Sequence, residues 1–419
     1  MTDAALRATP IIDWLTAEGL RGASRQEMLQ GFCQRLADDG VPLLRFHLAQ
    51  RAYHPKYGGI GFSWTRADGL SHEFYEHSDT PRDEWLYSTF YYMLERQVPE
   101  FRTKLTGHVL ERFPALAQFK QRGATDYFAL AMRFGDFADA PFDPKWPGEG
   151  ILSSWSTDHL DGFSEADLTL IRFIYPHLAL ALRAASAQQM AKDLLQVYLG
   201  RDAGQRVLSG EIQRGSSRQI DAVICYFDLK GFTQLAEQIP GAELIDMIND
   251  YFGLAVETIQ THGGNILKFM GDGILAMFDL GSIGEDATAA LAAASGLQSK
   301  IRNRNVERAQ QGNPVADFTL ALHAGEILYG NIGSENRLDF TVIGPTVNLT
   351  ARLSGMHASV GRSIIVSEQV QRAAQPTSHD LVSLGRYMLR GVAEPVELFT
   401  IYEGSGAGLS DRVSEQRSA

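Results

Sequence analysis

The sequence predicts two mixed helix-and-sheet domains, an α/β part at the N-terminus and an α+β part at the C-terminus, joined by a helical stretch. Three observations carry that expectation. The chain has 419 residues, of which 44% are hydrophobic, enough to bury more than one core. Strand-length apolar runs alternate with runs of helical period in both halves. Between the halves lies a long helical pattern that starts near Ser164 and ends near Leu199.

In the N-terminal half, Ile12, Leu15, Leu20, Met28, Phe32 and Leu36 recur at helical spacing, which predicts one or two helices over Ile11–Leu36. Val41–Leu48 and Gly58–Thr65 read as strands, and Asp68-Gly69 is a turn signal leading to a third over Ser71–Glu76. Trp85–Leu94 reads as a helix or loop–helix and Leu116–Arg122 as a short helix. Asp126–Phe134 and Ile151–Thr157 are apolar strands around a Pro/Gly/Asp-rich loop, Asp139–Gly150. Ser164 is a good N-cap, with Asp167 placed to complete a capping box. Pro176 is expected to kink or break the helix that follows, with a second piece over Gln188–Leu199. The stretch Leu168–Ala185 contains Arg172, Pro176, His177 and Arg183, which is too polar a composition for a membrane span. The charge-poor face of this helix suggests pairing with the same helix of a second subunit. The aromatics Trp64, Phe74, Tyr75, Trp85, Tyr87, Phe90 and Tyr91 read as core packing or as a lined ligand pocket, and His54, His72 and His77 as candidate cofactor contacts.

In the C-terminal half the order is a strand over Asp221–Asp228, helices over Thr233–His262, a hairpin over Asn265–Asp279, a helix over Glu285–Gln311 and a strand over Phe318–Ala324. A second hairpin-like region runs to Val342, and a helix carrying Asn348 and closing strands near Ile364 and from Tyr387 to Ile401 follow. An antiparallel α+β sheet suits this order. The chemistry gathers in three pieces. Y-F-D-L-K-G-F-T over 226–233 and K-F-M-G-D-G-I-L-A-M-F over 268–278 each bring one carboxylate, Asp228 and Asp272, to a strand edge. Singly, Asp228 reads as a cap for the next helix and Asp272 as a turn residue. Together they suit Mg²⁺, which takes oxygen ligands and keeps room for substrate phosphates. The run Gly231, Phe232, Thr233 opens a helix whose free N–H groups suit phosphate oxygens. In F-T-V-I-G-P-T-V-N-L-T-A-R-L over 340–353, Asn348 and Arg352 share one helix face.

These motifs, in this order from about Gln219 to Tyr402, resemble the class III nucleotide cyclases, the catalytic domain of adenylyl and guanylyl cyclases. The resemblance implies a ferredoxin-like fold and conversion of ATP to 3′,5′-cyclic AMP and diphosphate. It implies two Mg²⁺ (or Mn²⁺) ions per site on Asp228, Asp272 and the backbone carbonyl of Leu229. It also implies a purine read by Lys268 and Thr341, a ribose oriented by Asn348, a transition state stabilised by Arg352, and a triphosphate held by Arg337 and Arg390. Thr341 stands where many adenylyl cyclases have Asp, and the Lys/Thr pair is similar to a bacterial subclass that prefers ATP. Arg390 stands where relatives usually have Lys. One chain carries one half-set for each of two sites, so the resemblance implies a homodimer with both sites at the interface. The stretch A-T-D-Y-F-A-L-A-M-R-F to L-S-S-W-S-T-D-H-L-D-G-F-S-E-A-D-L resembles the end of a GAF domain. The resulting organisation is a GAF-like sensor over 1–185 with an unknown small-molecule ligand, a signal-transducing helical linker over 186–217, the cyclase domain over 218–403 and a disordered polar tail over 404–419.

The formal net charge of −12 argues against a nucleic-acid partner and an anionic membrane surface. The two cysteines, Cys33 and Cys225, give neither a disulfide framework nor a zinc site. No signal peptide is apparent in the opening M-T-D-A-A-L-R-A-T-P, and the expectation is a cytoplasmic protein. A guanylate cyclase and a catalytically silent nucleotide-binding regulator are the alternatives. Lys268 argues against the first, and the complete Asp228/Asp272/Asn348/Arg352 set against the second.

Overall fold

Residues 3–78, 80–135, 148–374 and 379–402 are described by a computed structural model. Most of the Asp139–Gly150 loop and the whole 404–419 tail lie outside the described residues. The chain divides into two units, Met1–Leu194 and Leu195–Ala419.

The first unit runs α1 (Asp3–Arg21), α2 (Arg25–Asp38), β1 (Arg45–Arg51), β2 (Tyr57–Thr65), β3 (Gly69–Glu76), α3 (Asp83–Leu86), α4 (Thr89–Arg96), β4 (Glu100–Lys104), α5 (Val109–Arg112), α6 (Pro114–Gln121), β5 (Asp126–Arg133), β6 (Gly150–Thr157) and α7 (Glu165–Leu199). Gly22, at φ +75°, ends α1, and a capping box between Ser24 and Glu27 starts α2. The sheet order is β3-β2-β1-β6-β5-β4, antiparallel throughout. Alternation sends Phe46 and Trp155 to one face, where they meet Phe32 and the buried stripe Leu168, Ile171, Ile174, Leu178 and Leu182 of α7. Phe90, Met93, Phe113 and Leu116 cover Tyr127 and Ala129 on the other face. Truncating Trp155 to Ala would cost about 3–5 kcal/mol.

The Ser164–Asp167 capping box is present, with Asp167 N–H on Ser164 Oγ and Ser164 N–H on Asp167 Oδ2, both at 3.1 Å. The expected break at Pro176 is not: α7 is one helix of 35 residues. Proline removes only its own bond to the Arg172 carbonyl. The buried Ile174, Tyr175, Leu178 and Ala179 on either side hold the helix through it. By length and composition α7 could cross a membrane, but half of its apolar window is buried inside the protein. Its exposed face carries Phe173, Leu180, Ala187 and, further on, Val197 and Tyr198. Strand β4 was not expected from its E-F-R-T-K sequence, which has no period-two pattern.

The second unit runs α8 (Arg201–Leu208), β7 (Ser217–Leu229), α9 (Phe232–Gln238), α10 (Gly241–Thr261), β8 (Asn265–Met270), β9 (Gly273–Phe278), α11 (Ile283–Gln310), β10 (Phe318–Ser334), β11 (Arg337–Ile343), α12 (Pro345–Ser354), α13 (His357–Val360), β12 (Ile364–Ser367), α14 (Glu368–Ala373), β13 (Leu381–Tyr387) and β14 (Val396–Ile401). The sheet order is β13-β14-β12-β10-β7-β9-β8, with β11 paired to β10. Val223, Cys225 and Phe227 face α10 and α11, packing on Met247, Tyr251, Leu291 and Leu297. Ile224 and Tyr226 face the other way, under α8, β11 and α12.

Two expectations need correction. The sheet is not wholly antiparallel, because β10 and β12 pair in parallel over Leu320–Leu322 and Ile364–Val366. The closing strand does not run unbroken from Tyr387: β13 ends there and a loop with Gly391 at φ +71° precedes β14. Glycine at that φ and Pro395 nearby interrupt the ladder.

Candidate active site

Strand β7 delivers Asp228 near its end, opposite Gly273 on β9 and Thr319 on β10. Asp272 sits in the β8–β9 turn, opened by Gly271 at φ +65°. The Leu229 N–H donates to the Asp272 carbonyl at 3.2 Å, which ties the turn to the end of β7. Gly273 is needed here: a Cβ on it would stand 2.9 Å from Asp228 Oδ1 and 3.0 Å from the Phe227 carbonyl.

The two carboxylates repel each other. Asp228 is half-buried, and burial, reinforced by the Asp272 charge, pushes its pKa up to about 6. Burial first, and then the charges of Asp228 and Asp272, raise the Tyr226 phenol. Neither carboxylate forms an ion pair among the described residues. Among the described residues, no group of three or more His, Cys, Asp or Glu is placed to hold a metal. Two adjacent anionic oxygen donors without a counter-charge fit a hard divalent cation that takes its remaining ligands from substrate and water. Past Leu229, Gly231 at φ +73° caps the short α9, with open space around its Cα, and Thr233 is exposed in the first turn.

Lys268 and Met270 alternate on β8, opposite Leu275 and Gly273, so they share the side of the sheet that carries Asp228 and Tyr226. A bulge between Ile266 and Lys268 sets that register. Lys268 Nζ is held by Asp339 Oδ2 of β11 at 2.9 Å. Asp339 is a residue the sequence reading missed. Its signal was its position two before Thr341 on one strand, hence on the same side. Thr341 is buried and its Oγ1 has no hydrogen-bond partner.

On α12, Thr350 and Leu353 are buried against the sheet, which turns Asn348 and Arg352 outward. Arg352 Nη1 donates to the Gly391 carbonyl at 3.3 Å, which brings it beside the loop that carries the exposed Arg390. Arg337 is exposed at the β10–β11 turn. The structure thus brings together Asp228 with Asp272, Lys268 with the Asp339–Thr341 strand, and Arg352 with the Arg390 loop. His323 is buried, shares a 2.9 Å hydrogen bond with Ser367 Oγ and is driven down to about 4 by burial, a core histidine. In the first unit, His77 bonds the His54 carbonyl and His72 bonds Gln26.

Residues 216–403 match the family described as the adenylate and guanylate cyclase catalytic domain. An uncharacterized protein of Mycobacterium tuberculosis is 32% identical over 213 residues, 50% of this chain and 37% of the relative. An adenylate cyclase of Anabaena cylindrica is 30% identical over 205 residues, 48% of this chain and 40% of the relative. The chain therefore spans well under half the length of these relatives. Among solved structures, the adenylyl cyclase CyaB from P. aeruginosa is 23% identical with a TM-score of 0.42, over 45% of this chain and 97% of that one. The guanylyl cyclase Cya2 is 30% identical with a TM-score of 0.41, over 46% and 97%. By the family match, residues 216–403 are similar to the adenylate and guanylate cyclase catalytic domain.

Proposed function

We propose that the protein is an adenylate cyclase that works as a homodimer and is regulated through its N-terminal unit, in the cytoplasm. The observation that carries this reading is the Asp228/Asp272 pair at the end of β7, inside a cyclase catalytic domain. Two Mg²⁺ or Mn²⁺ ions per site, held by Asp228, Asp272 and the Leu229 carbonyl, would supply Lewis-acid activation of the ribose 3′-OH and neutralise the triphosphate. The new bond joins the 3′-oxygen to the α-phosphorus, the bond to diphosphate breaks, and the 3′ proton leaves to water. Lys268 donates to a ring nitrogen of the purine, and the Thr341 hydroxyl pairs with the 6-amino group. The Asn348 amide orients the ribose. The Arg352 fork meets the charge that grows at phosphorus, which a point charge would match less well. Gly231, Phe232 and Thr233 offer backbone N–H groups to the phosphates, with Arg337 and Arg390 as cations.

The dimer reading rests on one half-set of residues per chain and on the exposed face of α7. Phe173, Leu180 and Ala187 recur every seven residues there, the spacing of a helix-to-helix seam. A change in that seam would alter how the two halves of each site meet, which is how the first unit would regulate the second.

One observation favours a guanylate cyclase instead: the Asp339 carboxylate beside Lys268. Guanine presents N–H donors at its N1 and 2-amino groups, and an acid accepts from them. Product formation from ATP and from GTP, each with Mg²⁺ and Mn²⁺, tests the reading. Cyclic AMP as the main product supports it, cyclic GTP-derived product alone replaces it with the alternative, and neither product makes the domain a silent regulator.

A further inference from the structure

The second face of the N-terminal sheet carries a half-buried cation, Arg45, that forms no ion pair among the described residues. Alternation along β1 sends Arg45 and His47 to this face, opposite Ser156 and Ser154 on β6 and Thr65 and Ser63 on β2. Tyr127 of β5 lies next to Ser156. Arg45 Nη1 donates to Ser154 Oγ at 3.2 Å, and its guanidinium lies 4.4 Å over the Phe119 ring. Among the described residues no carboxylate pairs with it. Glu73 and Tyr75 act on it from β3, where the Tyr75 hydroxyl donates to the Glu73 carboxylate, and Arg122 adds a second positive charge to the neighbourhood. Burial first, and Arg122 after it, lower the Arg45 pKa against opposing effects of Tyr127, Tyr75 and Glu73.

The side chains that share the sheet face with Arg45 on β1, β5 and β6 are uncharged. The His47 ring stacks on Phe90, bonds Ser63 Oγ at 2.8 Å and is held uncharged, its pKa lowered to about 3 by burial and then by Arg45. Tyr127 shares a 2.6 Å bond with Thr89. Ser156 is fully buried beside Arg45, and its Oγ has no partner at all. A half-buried guanidinium with spare N–H groups and a fully buried, unpartnered hydroxyl next to it are each costly alone. Both costs disappear when one carboxylate accepts from the two of them. Phe90 and Phe119 supply apolar walls for what the carboxylate is attached to.

We propose that this face of the N-terminal unit binds a small organic acid, with its carboxylate on Arg45 and Ser156 and an apolar body between Phe90 and Phe119. This is the ligand site of the first unit. It is read by binding alone, so its failure is separate from any failure of the cyclase reading.

The test uses the full chain, calorimetric titration with benzoate and with octanoate, and the matching neutral amides. The expected result is one acid bound per chain, at least about tenfold more tightly than its amide. Arg45→Gln loses about tenfold or more, Arg45→Lys loses less, and Ser156→Ala weakens binding several-fold with the fold intact by circular dichroism. The proposal is overturned if neither acid binds the wild type, if acid and amide bind alike, or if Arg45→Gln and Ser156→Ala both bind as the wild type does. Should Arg45→Gln fail to fold, Ser156→Ala and the acid–amide pair decide alone.

Discussion

The two units each build a sheet with one face closed by large hydrophobic side chains and one face on which charge is left unpaired, and the signs are opposite. The first unit holds a guanidinium, Arg45, among serines and a neutral histidine. The second holds two carboxylates, Asp228 and Asp272, that form no ion pair among the described residues. In each unit the opposite face is closed by helices over large hydrophobic side chains, Trp155 and Phe46 in one and Phe227 and Tyr251 in the other. Uncompensated charge destabilises a fold, so a protein that keeps it has a use for it. On the readings proposed above, the difference in sign would separate the partners: an anion for the first unit, cations with a polyphosphate for the second.

The sharpest way to break the comparison is to remove the negative pair. Asp228→Ala and Asp272→Ala should each cut nucleotide cyclisation by roughly three orders of magnitude or more, with unchanged circular dichroism. Near-normal turnover in either folded variant would end the two-metal assignment. The next largest effect is recovery by mixing. Asp272→Ala and Arg352→Ala should be inactive alone. An equimolar mixture should regain about a quarter of wild-type activity, because half the dimers are mixed and each of those has one intact site. No recovery, with mixed dimers demonstrated by cross-linking, would mean that each chain holds its own complete site.

How much of this was legible in the sequence follows from what sets each feature. The strand carrying Asp228, the β8–β9 turn and the Asn348/Arg352 face are local, fixed by alternation, a glycine pair and a four-residue spacing, and they could be read directly. The continuous α7 could not, because packing on both sides of Pro176 overrode a local rule. The parallel β10–β12 pairing could not, because register between distant segments has no local signature. The aromatic stretch from Trp64 to Tyr91 divides: Trp64 is core, Phe74 and Tyr87 are exposed, and Phe90 covers the polar face. Arg45 and Ser156, more than a hundred residues apart, become neighbours only through the β1–β6 ladder. Asp339 was visible as a strand position, but its hold on Lys268 depends on how β11 meets β8.

That hold gives the next prediction. If Lys268 reads the purine, Lys268→Glu with Thr341→Ala should weaken ATP use by roughly 1–3 kcal/mol in the transition state. Asp339→Asn releases Lys268 from its ion pair and should shift the ATP-to-GTP ratio of kcat/KM toward ATP, by less than the lysine change. Equal ratios in all three proteins would take Lys268 out of the base site.

The smallest expected effect is on stability, and it turns the negative pair from a catalytic into a thermodynamic observation. In the folded metal-free protein Asp228 titrates at about 6, above its ordinary value of 3.8, because burial and Asp272 both oppose its ionisation. The folded state therefore holds the proton more tightly than the unfolded chain does. The stability this contributes is complete below pH 3.8 and is lost as the pH rises through 6. At pH 7.5 the ionised Asp228 is a net cost, about 1 kcal/mol once solvent screening of this half-exposed group is allowed for. Asp228→Asn keeps the shape and removes the charge, so the metal-free variant should melt about 2–4 °C above wild type at pH 7.5. At pH 4 the gap should close. Adding Mn²⁺ with a non-hydrolysable nucleotide at pH 7.5 should raise the wild type past the variant, since only the wild type gains the bound cation. A variant that melts lower than the metal-free wild type at pH 7.5 would show that Asp228 holds the fold together, and that the excess negative charge at the end of β7 is not there for a cation.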